Sequence, residues 1–233
     1  MNKETYQEYK EYMLSQMSDS AHDCQHVYRV LYIALDIAEG ENDIDMDVLI
    51  SACLFHDIGR QKQFDDPRLC HAAEGGNMAF NYLKNKGWNE VRANHVRECI
   101  RTHRYRAGKQ PESIEAKILY DADKIDVSGA VGIARTILYN GQTNEPLYVV
   151  DDEERVIYEN GDSFIQEYNY KLKDIYDKLL TKRGSEIALQ RQEAAVDFYE
   201  CMLDEIETTY ALGKRFLENT IKSNPPVPEK SQE

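Results

Sequence analysis

Apolar residues in this chain recur mainly at helical spacing. Residues 4–17 read as a first helix, broken by Ser18-Asp19-Ser20. Asp23 is placed to cap a second helix running to Ala38. Its apolar positions, Val27, Val30, Leu31, Ala34, Ile37 and Ala38, are spaced by three and four, and Gly40 ends it. A third helix over 46–58 is apolar nearly all round, which predicts the buried centre of a bundle, and Gly59 closes it. Residues 60–70 read as a polar loop around Asp65-Asp66-Pro67, and further helices are expected over 71–86, 88–103, 112–125 and 129–139. The period then changes. Leu147-Tyr148-Val149-Val150 and Val156-Ile157-Tyr158 flank an acidic turn, the pattern of a short β-hairpin or structured loop near 147–158. Two long amphipathic helices are predicted over 163–181 and 185–221, and a disordered tail over 222–233, which holds Pro225, Pro226 and Pro228. The expectation is one all-α domain over 1–221, with its chemistry in 18–139 and the long helices of 163–221 behind it.

Composition narrows the function. The chain has 28 Lys+Arg against 42 Asp+Glu, a net charge of −14, which argues against a nucleic-acid polymer as partner. No stretch approaches the roughly 18 apolar residues of a membrane span, and the N-terminus lacks an apolar leader segment. The expected location is the cytoplasm. Five cysteines, none in a CxxC pair, argue against a disulfide framework and a cysteine zinc site.

Three segments carry candidate chemistry: residues 20–30, containing His22, His26 and Arg29; residues 52–60, containing His56-Asp57; and residues 118–126, containing Asp121, Asp123, Lys124 and Asp126. The middle one is the most informative. A His-Asp pair ends an otherwise apolar helix, where an uncompensated carboxylate is expensive to desolvate and where the helix dipole favours positive charge. A divalent metal satisfies both constraints, and the imidazole and carboxylate donors suit Mn, Fe, Co, Ni or Zn. His26 lies at the edge of its helix's apolar stripe, on a face similar to that of Arg29. Asp121 and Asp123 are about 200° apart on a helix, so only one can face the site, and periodicity does not choose between them.

This ordered set resembles the HD-domain metal-dependent phosphohydrolases, whose pattern is a His, a His-Asp doublet and a distant Asp. In that family the last ligand follows Ala and precedes Lys or Arg. The resemblance therefore implies His26, His56, Asp57 and Asp123 as metal ligands, with Asp121 as the fallback. The finer resemblance is to small stand-alone bacterial HD proteins, some of them nucleotide pyrophosphohydrolases. It rests on His22 to Val30, on Asp121 to Asp126 and on Gly129-Ala130-Val131-Gly132-Ile133-Ala134-Arg135, and it covers roughly 18–205. A His-Phe pair expected before Lys171 is Glu167-Tyr168 here. The implied fold is an HD-type (PDEase-like) all-helical bundle.

The implied activity is hydrolysis of a nucleotide or similar small phosphate ester or anhydride. A divalent metal, Mn first and Mg, Co, Ni, Fe or Zn as alternatives, would lower the pKa of water toward about 7, with Asp57 also orienting the attacking water. His71 and His103 form a second tier, for a second metal, the leaving group or a phosphate. His22 and Glu74 are candidates to support the ligands by hydrogen bonds. His95 reads as surface. Arg29, Lys124, Arg60 and Lys62 are the nearest cations in sequence, and Lys171 and Arg191 are candidates to close over the substrate from the C-terminal helices. Gly75-Gly76 lacks the surroundings of a phosphate loop. The competing readings are a di-iron HD-fold oxygenase and a non-catalytic nucleotide sensor. The long C-terminal helices offer a homodimer surface.

Overall fold

The computed structural model describes residues 1–17, 24–104, 109–159 and 162–223. Ten α-helices order its described residues: α1 (Lys3–Gln16), α2 (Cys24–Ala38), α3 (Met46–Phe55), α4 (Arg60–Asp65), α5 (His71–Asn85), α6 (Glu90–Thr102), α7 (Ile114–Asp126), α8 (Gly129–Gln142), α9 (Phe164–Glu167) and α10 (Lys182–Ser223). The expected break at Ser18–Ser20, the Asp23 cap, His22 and the tail from 224 onward lie outside the described residues.

The apolar α3 is the centre, as its composition requires. Val48, Leu49, Ala52, Cys53, Leu54 and Phe55 are fully buried against α1, α2, α6 and α7. Asp45 caps α3 by accepting from the backbone N–H groups of Asp47 and Val48. The predicted stripe of α2 is buried as a whole and packs on α7. A second apolar cluster joins Ile133 of α8, Phe164 and Ile165 of α9, and Ala195 and Tyr199 of α10.

Three expectations need correction. The stretch 60–70 is not all loop, because Arg60–Asp65 is helical. Its one large apolar residue, Phe64, is 76% exposed, so the segment has no amphipathic signature to read. The helix expected to 58 stops at Phe55, which places His56-Asp57 in the turn that follows. The long helix expected over 163–181 is four α-helical residues, a wide π-turn at Tyr168–Leu172 and a short 3-10 turn at Ile175–Asp177. Tertiary contacts explain this last break. Tyr168 stacks on Tyr199 at 3.9 Å, while the backbone N–H groups of Leu180 and Thr181 leave the helix to donate to Asp121 at 2.8 and 2.7 Å. The expected hairpin is a single antiparallel bridge, Val150 to Val156. Its turn is tied by the Asp151 carboxylate, which accepts from the N–H groups of Glu153 and Arg155.

Candidate metal centre

α2, α7, the turn after α3, the start of α5 and the end of α6 meet at one buried point. His26 comes from α2, His56 and Asp57 from the turn, His71 from the start of α5, His103 from the end of α6 and Asp123 from α7. The turn and α5 approach very closely. A Cβ on Gly59 would lie 2.3 Å from the His71 carbonyl oxygen and 2.5 Å from the Gly75 nitrogen. Glycine at 59 is therefore what lets the start of α5, with His71, settle beside Asp57. The Gly75-Gly76 pair has the same packing role, since a Cβ on Gly76 would meet the Arg97 backbone of α6 at 3.0 Å.

Each ring is fixed by an acceptor at its Nδ1. His56 Nδ1 donates to the Cys53 carbonyl at 2.8 Å and His103 Nδ1 to the Ile100 carbonyl at 2.6 Å, while His71 Nδ1 lies 2.5 Å from Gln63 Oε1 and 3.2 Å from Arg104 Nη1. His26 Nδ1 lies 2.7 Å from Asp126 Oδ2. All four Nε2 atoms are then turned inward. They form two adjoining sets. His26, His56 and Asp123 offer ligand atoms within 4.8 Å of one another, and so do Asp57, His71 and His103. Asp57 lies between them. Its Oδ2 is 3.6 and 3.7 Å from the Nε2 atoms of His56 and His26, and its Oδ1 is 3.4 and 3.9 Å from those of His71 and His103.

The electrostatics suit a cation. Burial pushes the His56 imidazole below its ordinary pKa, His71 down to about 2 and His103 down to about 3, so these rings are neutral and hold their lone pairs. Burial alone would raise the Asp57 carboxyl, but the Arg60 guanidinium, above all, holds it well below the usual carboxylate range. Arg60 Nε donates to Asp57 Oδ2 at 2.8 Å. Asp123 is likewise held low against its burial, chiefly by Lys124, whose ammonium is 3.1 Å from Oδ2. His26 differs: burial lowers its pKa, yet bonds to Asp123 and Asp126 outweigh that and raise it. Two buried atoms here, Asp57 Oδ1 and His71 Nε2, have no hydrogen-bond partner among the described residues. Acceptor-only carboxylates and inward lone pairs form a donor set that fits a divalent cation.

The other sequence candidates fall in several places. Asp121, on the opposite flank of α7, accepts from Leu180 N, Thr181 N and Thr181 Oγ1, and so anchors the start of α10. Arg29 reaches the rim through Asp126. Arg191 Nη1 donates to the Ile125 carbonyl at 2.9 Å, and Lys171 pairs with Glu167 at 2.6 Å. Among the described residues neither makes a polar contact with the His–Asp group. Glu74 pairs with Lys62 rather than with a ring of the site. His95 is half-buried, not surface, with Nε2 3.1 Å from the buried Glu115. Sequence reasoning gave no role to Asp126, Arg135 or Gln63. Asp126 follows Asp123 by three residues and therefore shares its helix face, and Arg135 ends one of the strings that carry the resemblance; Gln63 had no readable signal.

Comparisons place this geometry among known proteins. Residues 24–128 match the model of the HD domain. The uncharacterized protein YpgQ of Bacillus subtilis is 31% identical over 179 residues, covering 77% of this chain and 82% of that protein. The crystal structure of B. subtilis YpgQ in complex with ADP superposes with a TM-score of 0.66 at 27% identity, covering 86% of this chain and 97% of that one. An HD-superfamily hydrolase from Bacillus thuringiensis superposes with a TM-score of 0.67 at 25% identity, covering 87% and 96%.

Proposed function

The chain belongs to the HD-domain family, and from that membership we propose that it is a divalent-metal-dependent phosphohydrolase acting on a nucleotide. The observation that carries this reading is the inward convergence of four imidazole Nε2 atoms and two carboxylates at one buried point. His26, His56, Asp57 and Asp123 are the residues that would hold the ion, with Mn as the first choice. When bound, such an ion supplies a Lewis acid for phosphoryl oxygen and a lowered pKa for water. Arg60 keeps Asp57 ionised and oriented, so that this carboxylate can also accept a proton from the attacking water. The reaction adds water across a P–O bond: the water oxygen joins phosphorus, and the leaving oxygen takes up a proton. Lys124 and Arg29 add positive charge near a substrate that the overall acidic chain would otherwise repel. The ADP bound in the YpgQ crystal structure supports a nucleotide as the ligand class.

A second cation at Asp57, His71 and His103 is favoured by the two buried atoms there that have no hydrogen-bond partner among the described residues, Asp57 Oδ1 and His71 Nε2.

The test is a screen of nucleoside mono-, di- and triphosphates with Mn2+, detecting phosphate and pyrophosphate separately. Turnover that EDTA abolishes is expected, and Asp57→Ala should lower it by about a thousandfold with the helical circular dichroism retained. Pyrophosphate release places attack at the α-phosphorus, whereas nucleoside plus phosphate marks a nucleotidase. Undiminished turnover in Asp57→Ala overturns the assigned site. Nucleotide binding without turnover across several metals would favour the sensor, and two irons per chain with oxygen uptake the oxygenase.

A further inference from the structure

Arg60 and Arg135 reach the buried His–Asp group from two different helices. Arg60, which opens α4, donates through Nε to Asp57 Oδ2 at 2.8 Å. Arg135, in the middle of α8, donates through Nη1 to Asp126 Oδ2 and lies 2.9 Å from His26 Nδ1. These contacts hold one flank of α8 at the mouth of the group, while Ile133 is buried in the second apolar cluster. Tyr139 follows Arg135 by four residues, so the two side chains are neighbours on that flank, about 6 Å apart at Cβ. Its phenol is also within electrostatic range of Arg60: burial opposes the charge of that guanidinium, but Asp57 first, then Asp123 and Tyr139, raise its pKa. Tyr139 is thus tied to the mouth twice, along its own helix and across to α4.

The Tyr139 side chain is 60% exposed. Among the described residues no ring lies against it, unlike Tyr168, stacked on Tyr199 at 3.9 Å, or Tyr12, stacked on Tyr82 at 3.7 Å. A single exposed aromatic is ordinary on a protein surface. Tyr170, 84% exposed, is of that ordinary kind, because among the described residues nothing ties it to the His–Asp group. The position of Tyr139 between two anchored guanidinium groups is what sets it apart. Leu138 beside it is exposed as well and widens the apolar surface. An open aromatic face at the mouth of a phosphate-binding site suits a flat ring, and every nucleobase has one.

We infer that Tyr139 is a specificity-determining residue: its ring stacks on the nucleobase of a nucleotide whose phosphates lie at the ion site. The inference rests on the nucleotide reading of that site, and it adds the group that distinguishes a nucleotide from a phosphate ester without a base. Stacking reads an aromatic face rather than a pattern of donors and acceptors, so purine and pyrimidine nucleotides are both accepted.

The experiment compares two probes, ADP and inorganic pyrophosphate, which carries the two phosphates without a base. Each is titrated by calorimetry in the presence of Mn2+, and Mn2+ binding itself is read from the electron paramagnetic resonance signal of the free ion. Tyr139→Ala should weaken ADP about tenfold and leave pyrophosphate and Mn2+ affinity unchanged. Tyr139→Phe keeps the ring and should keep ADP affinity. Tyr170→Ala, which removes an equally exposed ring elsewhere, should change neither. Unchanged ADP affinity in Tyr139→Ala overturns the inference. So does an equal loss for pyrophosphate, which would mark a general disturbance of the site. A Tyr139→Phe variant as weak as Tyr139→Ala would assign the effect to the hydroxyl and overturn stacking, and a comparable loss in Tyr170→Ala would overturn the placement. Wild-type protein that binds no Mn2+ sinks the metal-centre reading itself, and wild type that binds Mn2+ and pyrophosphate but not ADP overturns the base contact alone.

Discussion

His26 Nε2 and His56 Nε2 lie 3.2 Å apart in the interior, each on a ring whose Nδ1 already has an acceptor. Two lone pairs facing each other at that distance gain nothing from hydrogen bonding unless a proton or a cation sits between them. A divalent ion between them satisfies both lone pairs at once.

Metal should therefore stabilise the fold. Mn2+ at about a hundred times its Kd is expected to add about 2.7 kcal/mol to the unfolding free energy. In a chain of this length that is a rise of about 5 to 10 °C in Tm. Differential scanning calorimetry of EDTA-treated protein, with and without Mn2+, measures it. His56→Ala should lose most of the rise. Identical melting of the two wild-type samples would contradict the arrangement.

Asp121 and Asp123 should separate cleanly. Asp123→Ala should abolish tight Mn2+ binding. Asp121→Ala leaves the N–H groups of Leu180 and Thr181 without their carboxylate, a loss of about 2–3 kcal/mol of stability, while Mn2+ affinity stays. Urea unfolding alongside Mn2+ titration of each variant gives the comparison. The opposite pattern would reverse the assignment.

Gly59→Ala should destabilise by about 1–3 kcal/mol, because the added methyl meets backbone at 2.3 Å, and it should disturb His71. Gly141→Ala, near the end of α8 with open space around the new methyl, should be neutral or stabilising by a few tenths of a kcal/mol, about the helix-propensity difference. Comparable melting of the two variants would remove the close-approach argument.

The Asp45–Arg92 pair links stability to pH away from the site. Arg92 Nε donates to Asp45 Oδ2 at 2.6 Å, and this bond, chiefly, lowers the Asp45 pKa in the folded protein. A lowered folded-state pKa gives a contribution fully present above the unfolded value of about 4 and lost as pH falls through the folded one. Asp45→Ala should cost about 1 kcal/mol at pH 7, and the gap to wild type should narrow below pH 4. A gap independent of pH between 7 and 3 would show that the charge plays no part.

The sequence by itself determined the helical architecture, the burial of α3 and the residue types of the buried His–Asp group. Periodicity and the cost of a carboxylate in an apolar segment are local properties, so Val27, Val30 and Leu31 could be assigned to the core before any contact was known. Only the tertiary structure decided which of Asp121 and Asp123 faces the histidines. They flank the same stripe of α7 from opposite sides, and what each one meets comes from distant segments: Thr181 for the first, His26 for the second. The breaking of the 163–181 segment and the gathering of Arg29 and Arg135 on Asp126 depend in the same way on partners about 10 to 100 residues away. Hydrophobic period records which face of a helix is buried; it carries no record of what that face is buried against.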